Sequence, residues 1–192
     1  MKILKGILIA VAVLVLIIVI IPAFVDSEYR VERSITVNAP VEKTFMIAKN
    51  YEYYVEWNPW SQMEPSAYDE MSGTPGEVGS KWSWEGDTVG VGSLTLVSFE
   101  PYSRIESRLE FVSPYQSVAR DLWTFEEVDS TTTEVTWAIE GESPSYMMRY
   151  MNLGMEGMLG PQFEQGLQNF KQLVESLPDE QQMEQQAEVI TK

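Results

Sequence analysis

The sequence predicts an α+β domain in which an antiparallel sheet grips one long C-terminal helix, with a single transmembrane helix ahead of it. Three observations predict this. Between Tyr29 and Glu140 short alternating segments recur between turn residues, the pattern of an antiparallel meander. From Ser143 to Leu177 helical spacing takes over, and Phe163, Leu167, Phe170, Val174 and Leu177 share one face at intervals of four and three. From Gly6 to Val25 runs a stretch of roughly twenty residues without a charge, the length of a bilayer-spanning helix.

Taking the elements in order, Lys2 and Lys5 precede the apolar run, and Asp26 and Glu28 follow it. The positive-inside rule places the short amino end in the cytoplasm and the folded part across the membrane. A cleaved signal peptide is the competing reading; the run is longer than a signal core, and IIPAFVDSEYR lacks a small-x-small cleavage site. An uncleaved anchor over residues 1–25 is therefore the expectation. The first strand is YRVERSITV, with Tyr29, Val31, Ile35 and Val37 on one face, interrupted by Arg33. Pro40 opens a short helix with Val41, Thr44, Phe45 and Ala48 on one side. YEYYVEWNPW follows as a second short helix ending at Asn58, because Pro59 disfavours helical geometry in the residue before it.

Ser61 to Gly79 is polar and turn-rich and reads as a loop. The strands SKWSWE, VGVGSLTLVSF, RIESRLEFV, QSVARDLWTFEEV and TTEVTWAIE then succeed one another. In the third of these Ile105, Leu109 and Phe111 oppose Arg104, Glu106, Arg108 and Glu110, so one sheet face is wet and the other needs cover. The helix that follows supplies it. Ser143 and Pro144 are its expected cap and first-turn proline, Pro161 a kink or break. Its first half carries Met147, Met148, Met151, Met155 and Met158, either as adaptable core filler or as the wall of a ligand site. The domain is expected to span residues 26–177, and the acidic tail of residues 178–192 reads as a frayed or disordered extension.

Composition narrows the function. The 192 residues are 44% apolar and 11% aromatic, ample for a core, and contain neither cysteine nor histidine. Thiol nucleophiles, disulfides, Cys/His zinc sites and imidazole bases are thereby removed. The net charge is −16, and beyond Lys2 and Lys5 the chain carries 11 basic against 29 acidic residues. Nucleic acid is not an expected partner, since phosphate binding needs clustered positive charge. No G-x-S-x-G, phosphate-binding loop, dinucleotide fingerprint or metal-ligand cluster occurs, and no cofactor is expected.

The strand ending in NAPVEKTF, the aromatic segment closing in WNPW, the strands with VGSKWSWEG and TTTEVTW, and a final helix with FEQGLQNFK together resemble the START-like (SRPBCC) superfamily. Within it the sequence is most similar to the polyketide cyclase/dehydrase and lipid-transport group. The resemblance covers Tyr29 to Leu177 and lies in the order of elements more than in any single motif. It implies a helix-grip fold: a curved sheet around the C-terminal helix, two small helices after the first strand, and an apolar cavity between. It also implies binding of a lipid, sterol, polyketide or other apolar molecule; some members are cyclases and others bind proteins.

Residues expected at such a cavity are Trp57, Trp60, Trp84, Leu109, Phe111, Trp123, Trp137, Met151 and Met155, with Trp82 a further aromatic candidate. Ordinary core packing is the alternative for each tryptophan. Arg33 and Asp121 stand on otherwise apolar strand faces, where burial without a partner is costly. They could pair with each other, bind a ligand head group, or reach water at a strand end. Asp121 is the weak candidate for an acid or base, with Glu85 behind it, and no catalytic residue is assigned. Three readings follow. The first is a membrane-anchored binder of a hydrophobic small molecule or lipid, expected ahead of an enzyme. The second is a cyclase/dehydrase-type enzyme using an inward carboxylate; the third is a protein-interaction module of the cell envelope with an unknown partner.

Overall fold

The computed structural model describes residues 2–143 and 145–178. The expected C-terminal tail, apart from Pro178, lies outside them.

Helix α1 spans Lys2–Ile20 and continues through a 3-10 turn at Ile21–Phe24, where Pro22 suits the first turn. The 22 residues Ile3–Phe24 make a helix long and apolar enough to cross a membrane, and its apolar side chains are exposed. Strand β1 (Glu28–Val37) follows, then three short helices, α2 (Val41–Lys49), α3 (Tyr51–Trp57) and α4 (Pro59–Met63). Side chains set the breaks between them. Asn50 Oδ1 accepts the Glu52 N–H at 3.0 Å to start α3, and Asn58 Oδ1 accepts the Trp60 N–H at 2.8 Å to start α4. Pro59 is then a first-turn residue, so the sequence expectation of a helix ending at Asn58 misses one further turn.

Strands β2 (Tyr68–Ser72), β3 (Lys81–Gly86), β4 (Gly90–Glu100), β5 (Arg104–Ser113), β6 (Ser117–Asp129) and β7 (Thr132–Glu142) complete one seven-stranded antiparallel sheet in the order β1-β7-β6-β5-β4-β3-β2. The expected loop over Ser61–Gly79 is thus corrected: it holds the edge strand β2. YDEMS is exposed at every position and has no apolar alternation to reveal it. Breaks of register in the β4–β5 ladder at Val91/Gly92 and Leu96/Ser98 are bulges of the kind that bend a sheet.

Helix α5 (Arg149–Ser176) lies in the concave face. Phe163, Leu167, Phe170 and Val174 are fully buried. The Phe163 ring stacks on Trp137 at 4.1 Å between centroids and 3° between planes, and Trp137 stacks on Trp123 at 5.1 Å. Trp57 closes this cluster edge-on, 5.3 Å from Trp137 and 5.4 Å from Phe170. The start of α5 differs from expectation. Ser143 does not cap it; its Oγ bonds Asn152 Oδ1 at 2.8 Å, turns occupy residues 145–148, and Pro144 lies outside the described residues. Pro161 sits inside an unbroken helix. The carbonyl it leaves without an N–H belongs to exposed Gly157, where water can take that place.

The turns before α5 and its first residues hold the end of α1. Tyr146 Oη donates to Val19 O at 2.7 Å and Tyr150 Oη to Ile18 O at 2.5 Å. Arg149 Nη1 reaches Pro22 O and Val25 O, both at 3.4 Å, and Asn152 Nδ2 donates to Asp26 O at 2.8 Å. Carbonyls at a helix end lack intrahelical partners, and a cation there is favourably placed, so the clamp satisfies α1 where it stops.

Candidate functional site

Between the sheet and the first half of α5 lies a cavity of about 430 Å³, within the roughly 300–1,000 Å³ range of small-molecule sites. Sheet residues make one wall: Trp82 and Trp84 from β3, Leu94 from β4, Leu109 and Phe111 from β5, Asp121 from β6, Trp137 and Ile139 from β7. Met151, Met155, Met158, Leu159 and Phe163 of α5 face them, and Tyr54, Asn58, Trp60 and Ser61 of α3 and α4 close one side. Met151, Met158 and Tyr115 line the cavity while exposed, and so mark its mouth.

Local chemistry explains this shape. The α3–α4 break at Asn58 turns Trp60 toward the cavity rather than along α3. Trp84 lies flat across β4 because Gly92 opposite it has no side chain; a Cβ there would collide with the indole and with the Glu110 carbonyl. Glu64 accepts the N–H groups of Asp87, Thr88 and Val89 at 2.9, 2.8 and 2.9 Å, tying the β3–β4 turn to the end of α4. Those backbone donors hold its carboxyl below the usual range.

Of the residues expected at the site, Trp60, Trp84, Leu109, Phe111, Trp137, Met151 and Met155 border the cavity. Trp57 and Trp123 do not: each is about 1% exposed within the aromatic core. Arg33 does not either. Gly160 leaves room for its guanidinium to pass α5 and pair with Glu156 at 2.6 Å and Glu164 at 2.8 Å. The Arg33–Asp121 pair is absent because the two are out of register: Arg33 faces Trp137 across the ladder, whereas Asp121 faces Ile139, itself opposite Val31. Sequence reasoning missed Tyr54, Asn58, Ser61 and Phe163 as lining residues. Phe163 was legible only as core, and Tyr54 stands one turn before Trp57 on α3.

Asp121 is the chemically distinctive group. It is 4% exposed; Oδ1 accepts the Trp137 indole N–H at 2.5 Å and Oδ2 that of Trp123 at 3.1 Å. Burial pushes its carboxyl up to about 7, against the opposing pull of the two indole donors. Burial, with the nearby Asp121 charge, also raises the Tyr54 and Tyr51 phenols, and the Tyr51 hydroxyl bonds Ser107 Oγ at 2.7 Å. One group able to exchange a proton near neutrality therefore stands in an aromatic-walled hollow. Among the described residues no cluster of three or more metal-ligating side chains occurs.

Comparison with solved structures places the fold. A crystal structure of a Mesorhizobium loti protein shares 17% identity and a TM-score of 0.56, covering 78% of this chain and 99% of its own. The ZhuI aromatase/cyclase of Streptomyces sp. R1128 aligns with a TM-score of 0.54 at 14% identity, over 77% of this chain and 94% of its own. Norcoclaurine synthase of Thalictrum flavum, solved with dopamine and hydroxybenzaldehyde, gives 0.57 at 13% identity, over 83% and 94%. At these identities the likeness is one of fold. A search of curated proteins gave no match. The sequence itself matches the family described as polyketide cyclase / dehydrase and lipid transport over residues 28–175, from the start of the sheet to the last turn of α5, and the chain belongs to that family.

Proposed function

We propose that the protein is a membrane-tethered carrier that holds one small hydrophobic molecule or lipid between its sheet and the first half of α5. The cavity is the observation that carries this reading: it is of ligand size, walled by aromatic and methionine side chains, and open beside exposed Met151 and Met158. Helix α1 supports a bilayer as the source. With Lys2 and Lys5 before it and Asp26 and Glu28 after it, its amino end lies in the cytoplasm and the domain on the far side. The mouth lies at the end of the sheet nearest α1. Strand β1 starts there, β7 ends there, and the β5–β6 turn carries exposed Val112, Tyr115 and Val118 at the same end. Tethering keeps the local concentration of any bilayer molecule high.

Native mass spectrometry of the full chain released from gentle detergent tests this. A co-purifying apolar molecule is expected, and Met155→Trp should remove it while the circular dichroism of the fold is kept. A consistently empty cavity in the unaltered chain would overturn the reading.

A second reading is supported by Asp121, whose pKa near 7 inside the cavity suits a general acid or base. In that case Asp121→Asn abolishes turnover of an apolar substrate while the fold persists; loss of folding alone would make the carboxyl structural.

A further inference from the structure

The charged groups lining the cavity are of one sign. Asp121 and Asp69 both line it, each bound to a tryptophan: Asp69 Oδ1 accepts the Trp82 indole N–H at 2.7 Å. Among the described residues neither carboxyl has a cationic partner, and no lysine or arginine lines the cavity. The arginines are engaged elsewhere. Arg33 is held by Glu156 and Glu164, Arg149 by the carbonyls of Pro22 and Val25, and Arg30, Arg104, Arg108 and Arg120 by glutamates of the outer sheet face. Lys49 lies over the Phe99 ring at 4.3 Å, and neither residue lines the cavity. Ser61 Oγ borders the cavity, buried and without a protein partner.

We propose that the cavity selects a cationic amphiphile, an apolar chain or ring system bearing one protonated amine, and rejects fatty acids and other anionic lipids. This rests on the carrier reading above. A buried ammonium needs a counter-charge, and Asp121 is a carboxylate without one. The π faces of Trp60, Trp84 and Tyr54 suit the same charge, and Ser61 Oγ offers a further acceptor. An anionic head group would meet the buried Asp121 carboxyl with no lining cation to offset it, and the exposed Asp69 carboxyl at the rim adds charge of the same sign. As Asp121 loses its proton near neutrality, pairing with an amine draws it fully into the ionised form.

The test compares three probes of equal chain length, decylamine, decanol and decanoate, on the full chain at pH 8. Retention is read by native mass spectrometry in both ion polarities after release from a non-ionic detergent. Decylamine is expected to exceed decanoate at least tenfold, with decanol between them. Asp121→Asn should narrow the amine-to-alcohol ratio to within about twofold. Decanoate bound as well as decylamine overturns the proposal, and this ranking on the unaltered chain stands whether or not the variant folds. Decanol and decanoate bound without amine preference would sink the charge selection and leave the carrier intact. If none of the three binds folded protein, the carrier reading falls as well.

Discussion

The two halves of α5 are one helix with two different jobs. From Phe163 onward its inward positions are filled by Phe163, Leu167, Phe170 and Val174, each 1% exposed or less, stacked into the tryptophan cluster of the sheet. Before Pro161 the only buried side chain is that of Met155, at 9%, beside the buried Gly160; Met151 and Met158 stay about half exposed, and Gly154 and Gly157 present open space. Rigid aromatics pack where the chain must be unique, and flexible thioethers stand where the facing surface is a hollow. The same concave sheet is therefore core at one end and container at the other.

The sharpest way to break this comparison is to truncate each half. Phe170→Ala should lower unfolding free energy by about 3–5 kcal/mol in urea titrations, the usual cost of emptying a buried aromatic site. An effect below about 1 kcal/mol would mean that the C-terminal half is not the core. Next in size is pH. Asp121 titrates near 4 when unfolded, and at about 7 when folded. The folded state thus holds the proton more tightly between these values. Its contribution to stability is greatest below pH 4, falls as pH rises toward 7, and is level above, a change of at most about 4 kcal/mol. Tyr51 and Tyr54, the other titratable groups beside it, remain neutral throughout that window. Asp121→Asn should flatten the decline; an unchanged slope would assign it to other carboxyls.

Smaller again is the clamp on α1. Tyr146→Phe with Tyr150→Phe removes two hydrogen bonds, each worth about 0.5–1.5 kcal/mol, and amide exchange over residues 145–152 should quicken about tenfold while the sheet is unaffected. Equal exchange in both proteins would show that the hydroxyls do not hold the turn. The smallest effect belongs to the container half. Met151→Ala should change stability by less than about 0.5 kcal/mol, as surface substitutions do, yet weaken retention of any bound apolar molecule. A loss as large as that of Phe170→Ala would erase the distinction between the halves.

Much of this contrast is legible in the residues. Strands β3 to β7 lie within two residues of where alternation and turn chemistry put them, because one face is buried and a slip of one residue would invert it. Strand β2 is not legible: an edge strand wet on both faces has no period. The site was half visible. Asp121 stands out as a charge among Ala119, Trp123 and Phe125, and one of its partners, Trp123, is two positions along the same strand face. Its other partner, Trp137, sits on the next strand and is brought to it only by the β6–β7 register, and the two glutamates that claim Arg33 come from α5, far along the chain. Helix onset was misplaced because a Ser-Pro pair outweighed the contacts with α1 that Tyr146 of the preceding turns and Tyr150 of the first turn of α5 make.

Those contacts bear on reach. Only residues 25–27 separate the 3-10 turn from β1, a span of at most about 11 Å even when fully extended, and the clamp shortens it further. With α1 in a bilayer the domain has no stalk. It then stands on the leaflet from which it emerges, and if the cavity carries the ligand proposed above, whatever receives that ligand must come to the lipid surface to collect it.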